Sequence, residues 1–324
     1  MAVARFQTIL VAVAEPAARR QPAVDRAVQL AKAFGAHLVL FHAAFDSALS
    51  GRPFFDSTRL AKSRGAFVAE RTKLLERHAR GLRDSGLSVD VRVAWEEPVH
   101  EAIIRAVLRD RADLVVAGRH ERRPDRPPQL RFTDWELMRL CPRPLLLVKQ
   151  AVSDKRRPGA MLAALDPMHS YDKPASLDVS IVGSAAAIAS ALQAECHAMH
   201  CVPRGAYALD EMTAADRKRF DERMRSRMKR SARKAGADVA AMHVVHGDVP
   251  RCLLDVARQL SAQMLAMGIV SRRWLRRFVI GDTAESVIRD VPCDLLLIKP
   301  ESFRLRLGRA RKEAIVLPKV PRRR

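Results

Sequence analysis

Four segments from the first half of this chain recur in the second half, in the same order and at nearly one spacing. The matching pairs are 142–149 with 292–299 and 113–118 with 263–268 at an offset of 150 residues, 9–16 with 160–167 at an offset of 151, and 95–98 with 246–250 about 152 residues along. The first pair reads PRPLLLVK against PCDLLLIK. Self-similarity at a fixed period indicates a repeated structural unit, so the chain is restricted to folds that one unit can build twice.

The repeat divides the 324 residues into two domains of ordinary size. We predict an N-terminal domain over 1–152, a linker over 153–159, a C-terminal domain over 160–303 and a basic tail over 304–324. The linker reads SDKRRPG, a polar and turn-rich composition that is typical of a boundary. Because the linker is short, we expect the two halves to pair as an intramolecular pseudo-dimer; a homo-oligomer is the further alternative.

Each half alternates short apolar runs with segments of helical period. Runs such as 8–13, 37–42 and 145–148 are nearly continuous, as in strands that are buried on both faces of a parallel sheet. Between such runs, 22–34 places apolar residues on one stripe, and 210–235 predicts a longer, highly charged helix. We therefore predict an α/β fold of two tandem, doubly wound parallel-sheet domains, whose ligands bind beyond the carboxyl ends of the strands.

Composition limits the classes of partner. The net charge of +22 favours contact with anions, nucleic acid or an anionic membrane surface, whereas an aromatic content of 5% argues against a module that stacks bases. No apolar stretch reaches the roughly 20 residues of a membrane span. Five scattered cysteines predict no disulfide framework, and the N-terminus lacks the pattern of a signal peptide, so we expect a cytoplasmic protein.

Three basic runs account for much of the charge. Ten Lys and Arg residues lie among the eighteen of Arg217–Lys234, four arginines lie in 272–277, and nine Lys and Arg residues lie in the tail. Such runs are usually a solvated face or a disordered tail. The alternative is a non-specific grip on nucleic acid or another anion.

Segments in both halves resemble the universal stress protein family, and within it the tandem E-type members. They are MGIVSR at 267–272, GDTAESVI at 281–288, CDLLLIKP at 293–300 and FTDWELMRLCP at 132–142. The resemblance extends from residue 5 to about residue 302. It implies a Rossmann-like fold of the adenine-nucleotide alpha hydrolase-like type, and a cytoplasmic, non-enzymatic stress-resistance protein that is dimeric or pseudo-dimeric.

The nucleotide-binding branch of that family carries a loop of the form Gly-x2-Gly-x9-Gly-Ser/Thr. Small residues there let backbone N–H groups approach phosphate oxygens closely. The spacing is kept here at Gly268, Ser271 and Gly281, but Ser271 replaces the second glycine. Asp282 replaces the Ser/Thr, with Thr283 one residue later. The resemblance therefore makes ATP a candidate ligand, and a purely structural loop is the alternative.

Charged residues around this loop have opposing effects on phosphate binding. A carboxylate such as that of Asp282 repels phosphate, whereas Arg272 and Arg273 offer guanidinium groups that bind it. Asp166 follows the first strand of the C-terminal half, where family members hold an acidic residue near the ligand. Its alternative role is that of a turn or helix-capping carboxylate.

The N-terminal half keeps Gly118 but carries Glu121 and Arg131 at the other two glycine positions, so we expect no nucleotide there. Glu15 is its counterpart of Asp166.

In the run CHAMHC at 196–201, side chains alternate between the two faces of a strand, so that strand alone cannot supply four zinc ligands. We expect core residues and no metal site; the alternative is a site that His243 or His246 completes from a neighbouring strand.

No Walker-type loop, Gly-x-Ser-x-Gly elbow or His-Glu-x-x-His helix is present in the sequence, and no catalytic residue is predicted. The sequence favours a stress-response binding module with a nucleotide or anion site in its C-terminal domain. Two alternatives are a basic protein that associates with nucleic acid and an ATP-hydrolysing switch.

Overall fold

A computed structural model describes residues 6–50, 57–118, 132–149, 159–168, 174–203, 212–269, 282–305, 307 and 315–316. These residues divide into two compact units. The N-terminal unit contains the described residues from 6 to 143 and those from 305 onward, and the C-terminal unit contains those from 144 to 304. No helix of the described residues is both long and apolar enough to cross a membrane.

The N-terminal unit alternates strands and helices. Its elements are β1 (Thr8–Ala12), α1 (Pro22–Phe34), β2 (His37–Ala44), α2 (Ser57–Asp84), β3 (Val89–Trp95), α3 (Val99–Arg109), β4 (Leu114–Gly118) and α4 (Phe132–Leu140). The strands lie in the order β3-β2-β1-β4, and each pair is parallel.

Local sequence accounts for these elements. The three central residues of β1, from Ile9 to Val11, are fully buried, which explains why the run is continuously apolar. Helix α1 begins at Pro22, since proline lacks an N–H that the first turn would leave unpaired. It ends before Gly35, whose φ of 65° is left-handed and therefore suits glycine.

The C-terminal unit repeats this arrangement. Its elements are β5 (Leu145–Val148), β6 (Met161–Ala164), α5 (Ala175–Ala191), β7 (Cys196–Pro203), α6 (Ala214–Ala235), β8 (Ala241–Gly247), α7 (Val249–Gln259), β9 (Met264–Gly268), α8 (Asp282–Asp290) and β10 (Asp294–Ile298). The order is β8-β7-β6-β9-β10-β5, and all pairs are parallel except β10 with β5. The predicted α/β, doubly wound class is confirmed.

Strand β5 belongs to the first repeat by sequence, yet it lies in the C-terminal unit. It pairs antiparallel with β10, and Leu146 lies opposite Leu296, its equivalent 150 residues later. A hydrogen bond stabilises one end of this strand pair: the backbone N–H of Lys149 donates to the buried carboxylate of Asp294 at 2.9 Å. The boundaries 1–152, 153–159 and 160–303 describe the sequence repeat, and as domain limits they stay a prediction.

Strand pairing corrects the sequence comparison of the first strands. Ile9 pairs with Leu114, and Met161 pairs with Met264. Because Leu114 and Met264 are equivalent at an offset of 150, Ile9 corresponds to Met161, at 152 rather than 151. The offset of 151 is therefore wrong by one residue.

Part of the basic tail forms a strand, β11 (Ile315–Val316). It pairs antiparallel with β3, with Ile315 opposite Trp95 and Val316 opposite Ala94. For these two residues the interpretation as a disordered tail is wrong, because their backbone extends the sheet of the N-terminal unit.

Candidate functional site

The structure brings Asp166 and Gly268 to the same edge of the C-terminal sheet. Strands β6 and β9 are parallel neighbours, with Ala163 opposite Ala266. Strand β6 ends two residues before Asp166, and β9 ends at Gly268. Since ligands of doubly wound sheets bind beyond the carboxyl ends of adjacent strands, this edge is the candidate site.

A buried carboxylate shapes the loop that follows β6. The backbone N–H of Asp166 donates to Oδ1 of Asp178 at 3.0 Å. Asp178 is only 4% exposed and lies in the first turn of α5, where the helix dipole favours a negative charge. Sequence reasoning missed Asp178, although an acidic residue in the first turn of a helix is a recognisable signal.

A buried histidine supports the same loop from the neighbouring strand. Nδ1 of His200, in β7, hydrogen-bonds the carbonyl oxygen of Leu165 at 3.1 Å. The N-terminal unit has the same contact, between Nδ1 of His42 in β2 and the carbonyl oxygen of Val13 at 2.8 Å. Because the acceptor is a carbonyl, each Nδ1 carries the proton.

Sequence reasoning interpreted His200 as a core residue, and it identified neither histidine as a support of this loop. An alignment of β2 with β7 at an offset of 158 residues places His200 on His42 and would have found them. Burial lowers the pKa of His42, and the hydrogen bond to Val13 partly opposes that shift. The surroundings of His42 therefore favour the neutral form of its ring.

A third support comes from the basic helix. Arg227, in α6, donates from Nη1 to the carbonyl oxygen of Pro167 at 3.3 Å. The loop after β6 is therefore held by groups from β7, α5 and α6. All three hydrogen bonds use main-chain atoms of the loop, so they fix its path whatever side chains it carries.

Gly268 has a packing reason that is independent of any ligand. A Cβ atom at this position would lie 2.8 Å from Cδ2 of Leu177 and 3.1 Å from Cδ1 of Ile181. Both of those side chains are 2% exposed and have little room to move. At Gly118, the equivalent residue of the N-terminal unit, the nearest atom would be Cβ of Ala23 at an ordinary 3.9 Å.

The rest of the predicted loop is only partly described. Ser271, Arg272, Arg273 and Gly281 lie outside the described residues. Asp282 and Thr283 are the first two residues of α8, so the loop runs from the carboxyl end of β9 to the start of that helix. Their roles as ligand-binding residues stay a prediction.

The corresponding edge of the N-terminal unit holds a turn carboxylate. Oε1 of Glu15 accepts a hydrogen bond from the backbone N–H of Ala17 at 3.2 Å and forms an ion pair with Arg71 at 3.2 Å. The Glu15 side chain is 60% exposed, so this ion pair contributes little to stability. Glu121 and Arg131 lie outside the described residues.

The histidines and cysteines of β7 divide between two environments. Nδ1 of His197 lies 3.1 Å from Nε2 of His243 in β8, and their rings are stacked with centroids 5.4 Å apart. Cys196 and His200 are buried. Within the described part of the chain, no group of three or more His, Cys, Asp or Glu residues is placed to hold a metal ion.

Comparison with known proteins decides the family. The model of the universal stress protein family matches this chain twice, over residues 5–149 and 171–299. The chain belongs to the universal stress protein family. The two matches correspond to the two copies of the sequence repeat, so the tandem arrangement expected from the sequence is confirmed.

Individual members of the family match along nearly the whole chain. Universal stress protein E of Salmonella typhi and that of Escherichia coli K12 are each 28% identical over 316 residues, which cover 93% of this chain and 96% of theirs. A solved structure of a functionally unknown protein from Pseudomonas aeruginosa PAO1 superposes with a TM-score of 0.69 at 25% identity, covering 91% of this chain and 93% of its own. The resemblance to E-type members is confirmed.

Substitution of Gly268 tests its packing role. We expect Gly268→Ala to lower the free energy of unfolding by about 1–3 kcal/mol, because the new methyl group overpacks against Leu177 and Ile181. The matched variant Gly118→Ala should change stability by less than about 1 kcal/mol, since its Cβ has room. Urea denaturation of both variants measures the difference. Equal effects at the two positions would contradict the account.

The stacked histidine pair predicts a loss of stability in acid. Burial first, and then His197 and Arg225, hold the pKa of His243 below its ordinary value of 6.5. The unfolded chain therefore binds this proton more readily. The contribution of His243 to stability is present above about pH 6.5 and is lost as the pH falls toward the lower pKa of the folded state.

Unfolding free energies measured at pH 7 and pH 5 test this assignment. The difference between the two pH values should be smaller in His243→Gln than in the parent. Part of the difference should persist, because burial also lowers the pKa values of His42 and His100. The exposed variant Lys229→Gln should keep the parent's pH dependence. If His243→Gln kept it too, the assignment would be wrong.

Proposed function

We propose that this universal stress protein is a non-enzymatic, cytoplasmic binding module of the stress response, whose C-terminal unit holds the ligand. ATP is the ligand to test first. The observation that carries the proposal is the meeting of Asp166 and Gly268 at the carboxyl edge of β6 and β9. That edge is where a doubly wound sheet opens a crevice.

The loop that leaves this edge has the length that a phosphate cradle needs. Gly268 ends β9 and α8 begins at Asp282, so Ser271 and Gly281 keep the spacing of the family's nucleotide loop between them. Backbone N–H groups at the start of a helix favour an anion. Arg272 and Arg273 add positive charge to the loop, which offsets the carboxylate of Asp282.

The C-terminal unit is the better candidate of the two. Arg131 stands at the position equivalent to Gly281 and Glu121 stands at that of Ser271. Side chains of that size would occupy the space that backbone-to-phosphate contact needs. In addition, the exposed carboxylate of Glu15 is engaged by Arg71 and by Ala17.

A binding role is supported by what the polar groups near the edge contact. Asp178, His200 and Arg227 each hydrogen-bond a main-chain atom of the loop after β6. Groups used in this way position a loop. A general base needs instead a partner proton on the substrate within hydrogen-bond reach.

Calorimetric titration of ATP into the purified protein tests the proposal. We expect saturable binding at one site per chain, with an affinity that changes little between about 50 and 300 mM salt, because a cradle of backbone N–H groups is screened less than a surface charge. Gly281→Glu should abolish it by placing a side chain and a negative charge in the loop. The control Gln259→Glu adds the same charge on the exposed side of α7 and should bind as the parent does.

Other outcomes separate the alternatives. Binding that survives in Gly281→Glu would show that the site lies elsewhere. Absence of binding in the parent would leave a universal stress protein that does not use ATP. If the pure protein releases ADP from ATP and Gly281→Glu abolishes that release, an ATP-hydrolysing switch would replace the binding module as the function.

A further inference from the structure

Helix α6 carries an unusual amount of charge on a rigid support. Its 22 residues contain ten Lys and Arg residues against three acidic ones. Thr213 caps its start by accepting a hydrogen bond from the N–H of Asp216 at 3.2 Å, and Gly236 closes its end in the left-handed conformation. The charges are therefore held on a regular helix.

The apolar side of α6 packs inside the C-terminal unit. Met224, Met228, Ala232 and Ala235 are buried against the C-terminal unit. Nine of the ten basic residues are exposed, and the tenth is the half-buried Arg227. The face that remains for a partner is consequently polar and cationic.

Few carboxylates neutralise this face. Asp216 faces Arg219 at 3.9 Å, and both side chains are more than half exposed, so the pair is weak. Asp221 is engaged by Nε2 of His246 at 2.8 Å. Within the described residues, Arg223, Arg230 and Lys234 form no ion pair with any carboxylate.

Four of these cations form one row. Arg223, Arg227, Arg230 and Lys234 are spaced by four, three and four residues, which places them along one side of a helix. The row is about 16 Å long at the helical rise per residue. Three of the four line a cleft of about 710 Å³ between α5 and α6, together with Ser176, Ser180 and Ser231. Glu301 is the one acidic residue among the described residues that line the cleft.

We propose that this row and its cleft bind the phosphate backbone of a double-stranded nucleic acid, without sequence preference. The row presents several cations in a line, which matches the regular succession of charges along a duplex. The length of the row suits an extended polyanion better than a single small phosphate compound. The hydroxyls of Ser176 and Ser231 can donate hydrogen bonds to phosphate oxygens.

The chemistry of the surface argues against two other partners. The described residues that line the cleft include no aromatic side chain on which the bases of a single strand could stack. An amphipathic helix that inserts into a membrane needs an apolar face toward the lipid, and the apolar side of α6 is buried in its own unit.

Fluorescence anisotropy with a labelled DNA of about 20 base pairs and arbitrary sequence tests the proposal over about 50–300 mM salt. The test variant is Arg223→Gln/Arg230→Gln/Lys234→Gln, which leaves Arg227 and its bond to Pro167 intact. The control Lys218→Gln/Lys229→Gln/Arg233→Gln removes the same charge from the opposite flank of α6. All six residues are exposed, so both variants should retain the parent's circular dichroism and melting temperature.

We expect the magnitude of the slope of log affinity against log salt to decrease by about three in the test variant, one for each phosphate that the variant no longer neutralises. In the control, the magnitude should decrease by less than about one. In the single variants Arg230→Gln and Arg233→Gln, only the first should lower the slope by about one. Equal reductions in the two triple variants would assign binding to the general charge of the protein and overturn the proposal.

Two competitors distinguish the sources of phosphate. Sodium tripolyphosphate at the same total phosphate concentration as a DNA competitor should displace the label far less than the DNA does. Vesicles with about 30% phosphatidylglycerol should bind the test and control variants alike. Displacement by tripolyphosphate equal to that by DNA, or vesicle binding that disappears only in the test variant, would contradict a nucleic-acid site.

Discussion

Burial of each parallel strand on both faces is the constraint on which the rest of this structure depends. Ile9, Leu10 and Val11 in β1, and Leu265 and Ala266 in β9, are at most 1% exposed. Strands buried in this way must be covered by helices, and a helix that joins two parallel strands must cross from one edge of the sheet to the other. The loops that follow the parallel strands of a unit therefore emerge at the same edge, and chemistry can vary there while the core stays fixed.

The loop after β6 shows how such an edge is made rigid. A loop next to a buried sheet contains main-chain groups that water reaches poorly, and leaving them unpaired is costly. Here Asp178, His200 and Arg227 satisfy them. The hydrogen bond from His200 recurs with His42 in the N-terminal unit. This interaction therefore belongs to the repeated fold and does not depend on a ligand. The loops at 118–131 and 268–281 differ in sequence between the two units, and we expect these differences to decide whether a ligand binds.

Much of the fold could be predicted from the sequence, because strand and helix patterns are local. The predicted helix 22–34 has the observed bounds, and the predicted helix 210–235 begins four residues later, at Ala214. The site was harder to predict, since Asp178, His200 and Arg227 meet only through packing of α5, β7 and α6. The departure of β5 into the C-terminal unit depends on a strand pairing 150 residues apart along the chain. The pairing of Ile315 with Trp95 is equally non-local.

Hydrogen–deuterium exchange with and without saturating ATP tests the central claim most directly, because it reports where on the chain a ligand acts. We expect slower exchange in peptides that cover 165–180 and 265–290, and unchanged exchange in the equivalent peptides 13–28 and 115–140. That result would place the ligand at the carboxyl edge of β6 and β9. Equal protection in both sets of peptides, or protection in neither, would contradict the assignment of the ligand site to the C-terminal unit.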